Sequence, residues 1–230
     1  MLTQTTVRNE PSRREIGRNA HTAPVFVPRP CADTFDLIGA PMPFARNAEI
    51  YGENEPADYL YKVISGTVRT YRVLNDGRRQ IGAFYLPGDV FGFEGGAEHS
   101  FSAEAISNAR VMVIRRSTAT ALAARDSTAA QQLLGATTRE LLRAQNHIML
   151  LIKTAQERVA GFLLEMADRA AGHNEVDLPM SRQDIADYLG LTIETVSRTL
   201  TQLENSATIA LPTSRRIVLR NRAALRQLNS

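Results

Sequence analysis

Apolar and polar positions change period along this chain of 230 residues, and each change predicts a different kind of element. From about 45 to 117 the apolar runs are short and alternate. Residues 59–64 (YLYKVI) are followed by Ser65-Gly66 and then by 67–73 (TVRTYRV). In that second run Val68, Thr70 and Arg72 alternate with Thr67, Arg69, Tyr71 and Val73, the two-residue period of a half-buried strand. Asn75-Asp76-Gly77 predicts a hairpin, because these residues accept positive φ cheaply. Further strands are expected over 80–86, 101–106 and 109–114, with a break at Pro87-Gly88-Asp89. Short strands with regular Gly and Pro breaks predict a small sandwich or barrel.

After Arg116 the period lengthens to three and four. Short segments rich in Ala and Leu fill about 117–135. Over 138–171 there is no proline and no glycine except Gly161, and Leu141, Ala144, Ile148, Leu151, Ile152, Ala155, Val159, Phe162 and Leu163 recur at helical steps. One helix of roughly 30 residues, about 45 Å long, is predicted. So long a helix does not easily bury its stripe against one small β-domain. Pairing with the same helix of a second chain is expected, through Leu141, Ile148, Leu151, Ile152, Ala155 and Val159, with a core helix of a monomer as the alternative. Gly161 and the stretch 170–174 (AAGHN) are expected to mark bends and a linker.

Residues 181–200 (SRQDIADYLGLTIETVSRTL) predict two short helices. Ile185, Ala186 and Leu189 form the inner face of the first, small Ala186 allowing a close crossing. Gly190 sits at the break, where a left-handed or sterically tight backbone is needed. Thr192 suits the N-cap of the second helix, and Val196 and Leu200 give it a buried side. That combination fits a helix-turn-helix. Glu194, Ser197 and Arg198 share one exposed face at i, i+3 and i+4. As surface they need no explanation; on a recognition helix, that half enters the major groove. There an arginine takes guanine O6 and N7, and a glutamate accepts from cytosine N4. A hairpin carrying Arg215 and Arg216 follows over 208–219, which makes the unit a winged helix. Arg182, Thr192, Arg215 and Arg216 are expected on phosphates, contacts that position without specifying sequence.

Net charge is only +3, but from Arg198 onward six arginines face one acid, Glu204, which suits a polyanion partner. No apolar run approaches the roughly 20 residues of a membrane span. The first residues lack the apolar stretch of a secretory signal, so a cytoplasmic protein without membrane partner is expected. A single cysteine, Cys31, excludes an internal disulfide and a cysteine-held iron–sulfur cluster. His21, His99, His147 and His173 are scattered without metal-ligand spacing, so no metal is expected. No Gly-x-Ser-x-Gly, P-loop or Gly-x-Gly-x-x-Gly appears, and no enzyme is expected.

The order of these features resembles the CRP/FNR superfamily of bacterial transcription regulators over about 40–228. Residues 56–68 (PADYLYKVISGTV) and 88–92 (GDVFG) look like that family's β-roll, and Glu194, Ser197 and Arg198 look like its FNR and FixK branch. Residues 1–33, polar and rich in Thr, Asn and Arg with Pro24, Pro28 and Pro30 near the end, are expected to form a mobile arm, with a disordered tail without function as the alternative. For the rest the resemblance implies an α+β fold: a jelly-roll-like β-roll of the cyclic-nucleotide-binding type (34–136), a dimerisation helix with hinge (137–171) and a winged helix (172–230). Where nucleotide-binding members carry a glutamate for the ribose and an arginine for the phosphate, this chain has Phe93 and Phe101. A buried phosphate without its cation is poorly compensated, so no nucleotide and no other cofactor is expected, with the phenylalanines filling the space. His99, as a lone loop histidine, is expected to be structural or exposed rather than a haem ligand. The FixK branch then implies a homodimeric activator that works with RNA polymerase on genes of low-oxygen respiration or nitrogen fixation. Its site would be a TTGA…TCAA palindrome, with Arg198 on the guanine, Glu194 toward the complementary strand and Ser197 on the outer thymines. The alternatives are an unidentified apolar effector against Phe93 and Phe101, or redox control through Cys31.

Overall fold

The computed structural model describes residues 34–169 and 174–229. The expected arm with Cys31, and residues 170–173 of the expected linker, lie outside the described residues.

A short helix α1 (Thr34–Ile38) leads into β1 (Ala40–Phe44), β2 (Glu49–Tyr51), β3 (Tyr59–Ser65), β4 (Val68–Val73), β5 (Arg79–Tyr85), β6 (Val90–Phe91), β7 (Ser102–Ala105) and β8 (Ala109–Arg115). Among the described residues these strands form two sheets, ordered β1-β8-β3-β6 and β2-β7-β4-β5, with every pairing antiparallel. Val63, Val68, Phe91, Ala103, Ala105 and Val111 fill the space between them. The five alternating runs appear as β3, β4, β5, β7 and β8. The first strand, APMPF, reads poorly because prolines cannot donate to a ladder; it survives as an edge, paired only with β8.

The helix expected over 138–171 is two helices. After α2 (Arg116–Ala123), α3 (Ser127–Leu151) starts well before residue 138, capped by Asp126, whose carboxylate accepts the Thr128 N–H at 2.8 Å. It stops at Leu151, and α4 (Ala155–Arg169) begins anew. The cause is a capping box that the apolar period runs straight through. The Glu157 carboxylate accepts the Thr154 N–H at 2.6 Å, and the Thr154 hydroxyl accepts the Glu157 N–H at 3.4 Å. Gly161, expected at a bend, lies inside α4. A Cβ there would come within 2.8 Å of Leu150 Cδ1 and of Asn229 Oδ1, so close packing is its role.

This break reassigns part of the expected seam. Val159 is 1% exposed within the core that α4 shares with the winged helix, which removes it from any surface stripe. Ala155 opens α4 and is half-buried, as is Leu151 at the end of α3. Leu141, Ile148 and Ile152 are 57%, 63% and 73% exposed, and Leu134 at 67% extends the stripe by one heptad step.

The remainder is β9 (Glu175–Asp177), α5 (Arg182–Leu189), α6 (Ile193–Asn205), β10 (Ile209–Ala210), β11 (Arg216–Leu219) and α7 (Arg222–Leu228). The wing sheet has the order β10-β11-β9. This unit does not stand apart from the roll. Ile81 and Phe84 of β5 and Ile106 enter one buried cluster with Phe162, Ile185, Tyr188, Leu189 and Leu200. The Phe84 ring lies 5.2 Å from that of Tyr188 and meets Phe162 edge-on at 6.3 Å. A bulge in the β4–β5 pairing, at Gly82, lets Ile81 and Phe84 both face outward while Ala83 and Tyr85 face the roll interior. For the same reason β4 is not half-buried as its alternation predicts. Arg69, on the face opposite Val68, is only 9% exposed because α5 covers it.

Replacing Thr154 by Ala removes the side-chain half of the capping box at the α3–α4 break. The loss is expected to be about 1 kcal/mol, read as a lower midpoint in urea unfolding with an unchanged slope.

Candidate nucleic-acid interface

The two helices expected at 182–200 are present, and their ends explain the turn between them. Ser181 and Asp184 form a capping box at the start of α5: the Ser181 hydroxyl accepts the Asp184 N–H at 3.1 Å, and the Asp184 carboxylate accepts the Ser181 N–H at 2.9 Å. Gly190 ends α5 with φ 62°, a left-handed residue whose N–H bonds back to the Ala186 carbonyl. Thr192 then caps α6, its hydroxyl accepting the Thr195 N–H at 3.2 Å. The buried side of α6 is Val196, Thr199, Leu200 and Leu203.

On the other side Glu194, Ser197 and Arg198 are exposed together. Arg198 Nη2 donates to the Thr195 hydroxyl at 3.4 Å, and that hydroxyl lies 3.2 Å from the Thr192 hydroxyl. A short polar chain from the N-cap therefore steadies the arginine. Hydrogen bonds from its own backbone N–H and from Thr192, with the Arg198 charge, hold the Glu194 carboxyl below its ordinary pKa. The face thus offers an ionised acceptor beside a cation with five donors. Two participants were not expected. Thr195 orients Arg198, legible only as the residue three from both Thr192 and Arg198. Ile193 is 36% exposed at the first helical position, an apolar group of the kind that contacts a thymine methyl.

The expected phosphate contacts fall on separate elements. Arg182 opens α5 half-buried; its Nη1 is buried without a hydrogen-bond partner among the described residues, and burial lowers its pKa. Arg215 and Arg216 are exposed on the wing. Arg215 Nη1 reaches the Pro179 carbonyl at 3.4 Å, and Arg216 pairs with Glu175 of β9. A cleft of about 830 Å³ separates α6 residues 193–195 from the β4–β5 hairpin, with Leu74, Arg78 and Arg79 on its far wall.

Phe93 and Phe101 both line a cavity of about 320 Å³ between the roll and α3, so they narrow this space rather than fill it. Phe101 lies over Gly82, where a Cβ would meet its ring at 3.1 Å. Glu94 and Glu140 face the same cavity, and its arginine, Arg143, is engaged by Asp89 at 2.9 Å and by Glu140. This lining does not fit a cyclic nucleotide: its carboxylates repel a phosphate and its cation is committed. His99 is not a surface residue. It is 1% exposed and stacks on Tyr51 with centroids 3.6 Å apart, as structural packing.

A β-roll, a long helix, and a winged helix with an exposed arginine-bearing face define a DNA-binding regulator of the helix-turn-helix class. Comparison with known proteins agrees. Residues 41–126 match the cyclic nucleotide-binding domain and 157–228 the Crp-like helix-turn-helix domain. The nitrogen fixation regulation protein FixK of Azorhizobium caulinodans is 54% identical over 205 residues, 86% of this chain and 83% of that protein. The fumarate and nitrate reduction regulatory protein of Escherichia coli is 32% identical over 200 residues, 84% of this chain and 80% of that one. The structure of FixK2 from Bradyrhizobium japonicum superposes with a TM-score of 0.79 at 50% identity, covering 84% of this chain and 98% of that one. The chain belongs to the CRP/FNR family of transcription regulators, and within it to the FixK type. No helix among the described residues is long and apolar enough to cross a membrane.

Gly190 is the residue on which the angle between α5 and α6 turns. A Cβ there meets only ordinary contacts, Arg158 Nη1 and Leu151 Cδ2 at 3.5 Å, so the penalty for Gly190→Ala is conformational. About 1–2 kcal/mol is expected, with Asn better tolerated, as differences in unfolding midpoint among the three proteins.

Proposed function

We propose that this protein is a homodimeric transcription activator of the FixK type that reads a TTGA…TCAA palindrome without a small-molecule inducer. The observation that carries the reading is the exposed face of α6, with Glu194, Ser197 and Arg198 presented together and Arg198 steadied through Thr195 and Thr192. In this assignment Arg198 takes the guanine, Glu194 the complementary strand and Ser197 the outer thymines. Arg182, Thr192, Arg215 and Arg216 hold phosphates. The partner is a second copy, paired along Leu134, Leu141 and Ile148 with Leu151 and Ile152 at the end of the seam. Solvent exposure of this stripe supports that pairing. Two recognition helices then stand about 34–36 Å apart, one turn of DNA. The cavity supports inducer independence, because its acids and its engaged arginine leave a nucleotide phosphate without a cation. The FixK relatives are named for nitrogen fixation regulation, and we assign this chain to genes of nitrogen fixation or low-oxygen respiration, acting with RNA polymerase in the cytoplasm.

A second reading takes the 320 Å³ cavity itself as the site of an apolar effector, against Phe93 and Phe101. Selection from a random DNA pool with purified protein, with and without cell extract, separates the two. Enrichment of TTGA…TCAA without extract supports the first, and strict dependence on extract supports the second.

Arg198→Ala is expected to weaken binding to that palindrome by about 1–3 kcal/mol and to relax choice at the guanine, in anisotropy titrations against single-base variants. Arg215→Gln should instead weaken all duplexes alike and reduce the salt slope by about one. Ile148→Asp places a charge on the exposed stripe and is expected to shift sedimentation from dimer to monomer, with secondary structure retained.

A further inference from the structure

The support helix α5 is held at both ends by groups from outside its own domain. At its N-terminus, Arg69 Nη1 of β4 donates to Asp184 Oδ1 at 2.5 Å, and Arg79 Nη2 of β5 reaches the same oxygen at 2.7 Å. Arg69 is tied back to the roll through Glu104 at 2.9 Å, and Arg79 Nε also pairs with Asp187 at 2.8 Å. At the C-terminus, the His147 Nε2 of α3 lies 2.7 Å from the Tyr188 carbonyl, its ring stacked on that of Tyr188. Arg158 Nη1 holds the Leu189 carbonyl at 2.8 Å while its Nε holds the Lys153 carbonyl, at the α3–α4 break, at 2.7 Å.

We propose that Arg69 and Arg79 are positioning residues for DNA binding: an ionic latch, buried at Arg69 and Asp184 and half-buried at Arg79, by which the β-roll sets the angle of the recognition helix. The Phe84–Tyr188–Phe162 cluster joins the two domains, but apolar contact is non-directional and permits rotation. Directed bonds at two points remove that freedom. The anchors at Asp184 and Leu189 are five residues apart, about 7.5 Å of helix. A slip of about 2 Å at one anchor tilts α5 by about 15°, inside the roughly 10–20° tolerance to which a binding constellation must be held. The latch is not explained as a source of stability. Buried ion pairs often contribute none relative to apolar residues, and the Nε of Arg69 is buried without a hydrogen-bond partner among the described residues. Setting geometry is the better-attested use of such a group. The inference deepens the inducer-independent reading and rests on it, since in that reading residues of the chain itself set the helix angle.

The pair Arg79–Asp187 permits a charge swap that leaves the Asp184 cap in place. The readout is the ratio of affinity for a specific duplex to affinity for random duplex, so that altered net charge cancels. The specific duplex is the one wild-type protein selects from a random pool without ligand. Whether that sequence is TTGA…TCAA tests the functional reading; the variants, compared with wild type on it, test the latch. Arg79→Asp and Asp187→Arg are each expected to lower the ratio at least tenfold without dissociating the dimer. The double variant restores the 79–187 pair but not the Arg79 bond to Asp184, and should recover part of that loss, at least threefold over the single variants. Arg69→Lys keeps the charge but loses the planar fork that bridges Glu104 and Asp184, and should lower the ratio severalfold. Unchanged ratios in the single variants, tighter specific binding in them, or no recovery in the double variant would each overturn the proposal.

Discussion

The Asp184 carboxylate divides its two oxygens between two tasks. Oδ2 accepts the Ser181 N–H and hydroxyl, closing the capping box that starts α5. Oδ1 accepts Arg69 and Arg79 from the neighbouring domain. Burial alone would raise its pKa, but the Ser181 hydrogen bonds and then the two arginine charges outweigh that, and the group is held below the ordinary aspartate value. One ionised carboxylate is therefore both the local start signal of a helix and its attachment to another domain. Rotating α5 away from the roll would break either the cap or the ion pairs. Since α6 follows after only Gly190, Leu191 and Thr192, the direction of the reading face depends on the same group.

What the sequence made legible were features whose cause is local. Gly190, Thr192 and the spacing of Val196 and Leu200 concern one turn and two short helices, and each appears with its expected backbone and cap. The alternating runs of the roll are equally local. The break at 152–154 had a local signal too, Thr154 with Glu157, but a strong apolar period hides a cap that lies inside it. That period was composite: Leu141 and Ile148 lie on an exposed stripe of α3, whereas Val159, Phe162 and Leu163 fill a core on α4. Arg69 shows the harder limit. In an alternating strand it reads as the solvent side, and only the docking of α5, more than a hundred residues later in the chain, makes it buried.

The cavity between roll and α3 has a comparable history of compensation. Tyr85, stacked on Phe91, donates its hydroxyl to Glu140 at 2.7 Å, and the Arg143 guanidinium lies over the Tyr85 ring at 4.9 Å. Arg143 then reaches Asp89, and Asp89 also receives Arg169 of α4. These polar groups are thus paired with one another. They form a continuous chain from the roll interior through α3 to α4.

That chain and the latch share a strand. Ala83 and Tyr85 face the roll interior, while Ile81 and Phe84 on the same β5 enter the core shared with α5. The two faces of a strand move together, because interiors this closely packed deform by discrete repacking rather than by stretching. A change that re-aims Tyr85 also shifts Phe84, which packs against Tyr188 of the support helix. In a family member whose roll admits an effector, such a strand would be the place for a switch. Here its inner face is engaged by Glu140 and Arg143, and its outer end is tied through Arg79 to Asp184 and Asp187. A two-state element transmits only when each state is accessible. In the inducer-independent assignment, with both faces of β5 committed to partners within the chain, the same architecture works as a brace.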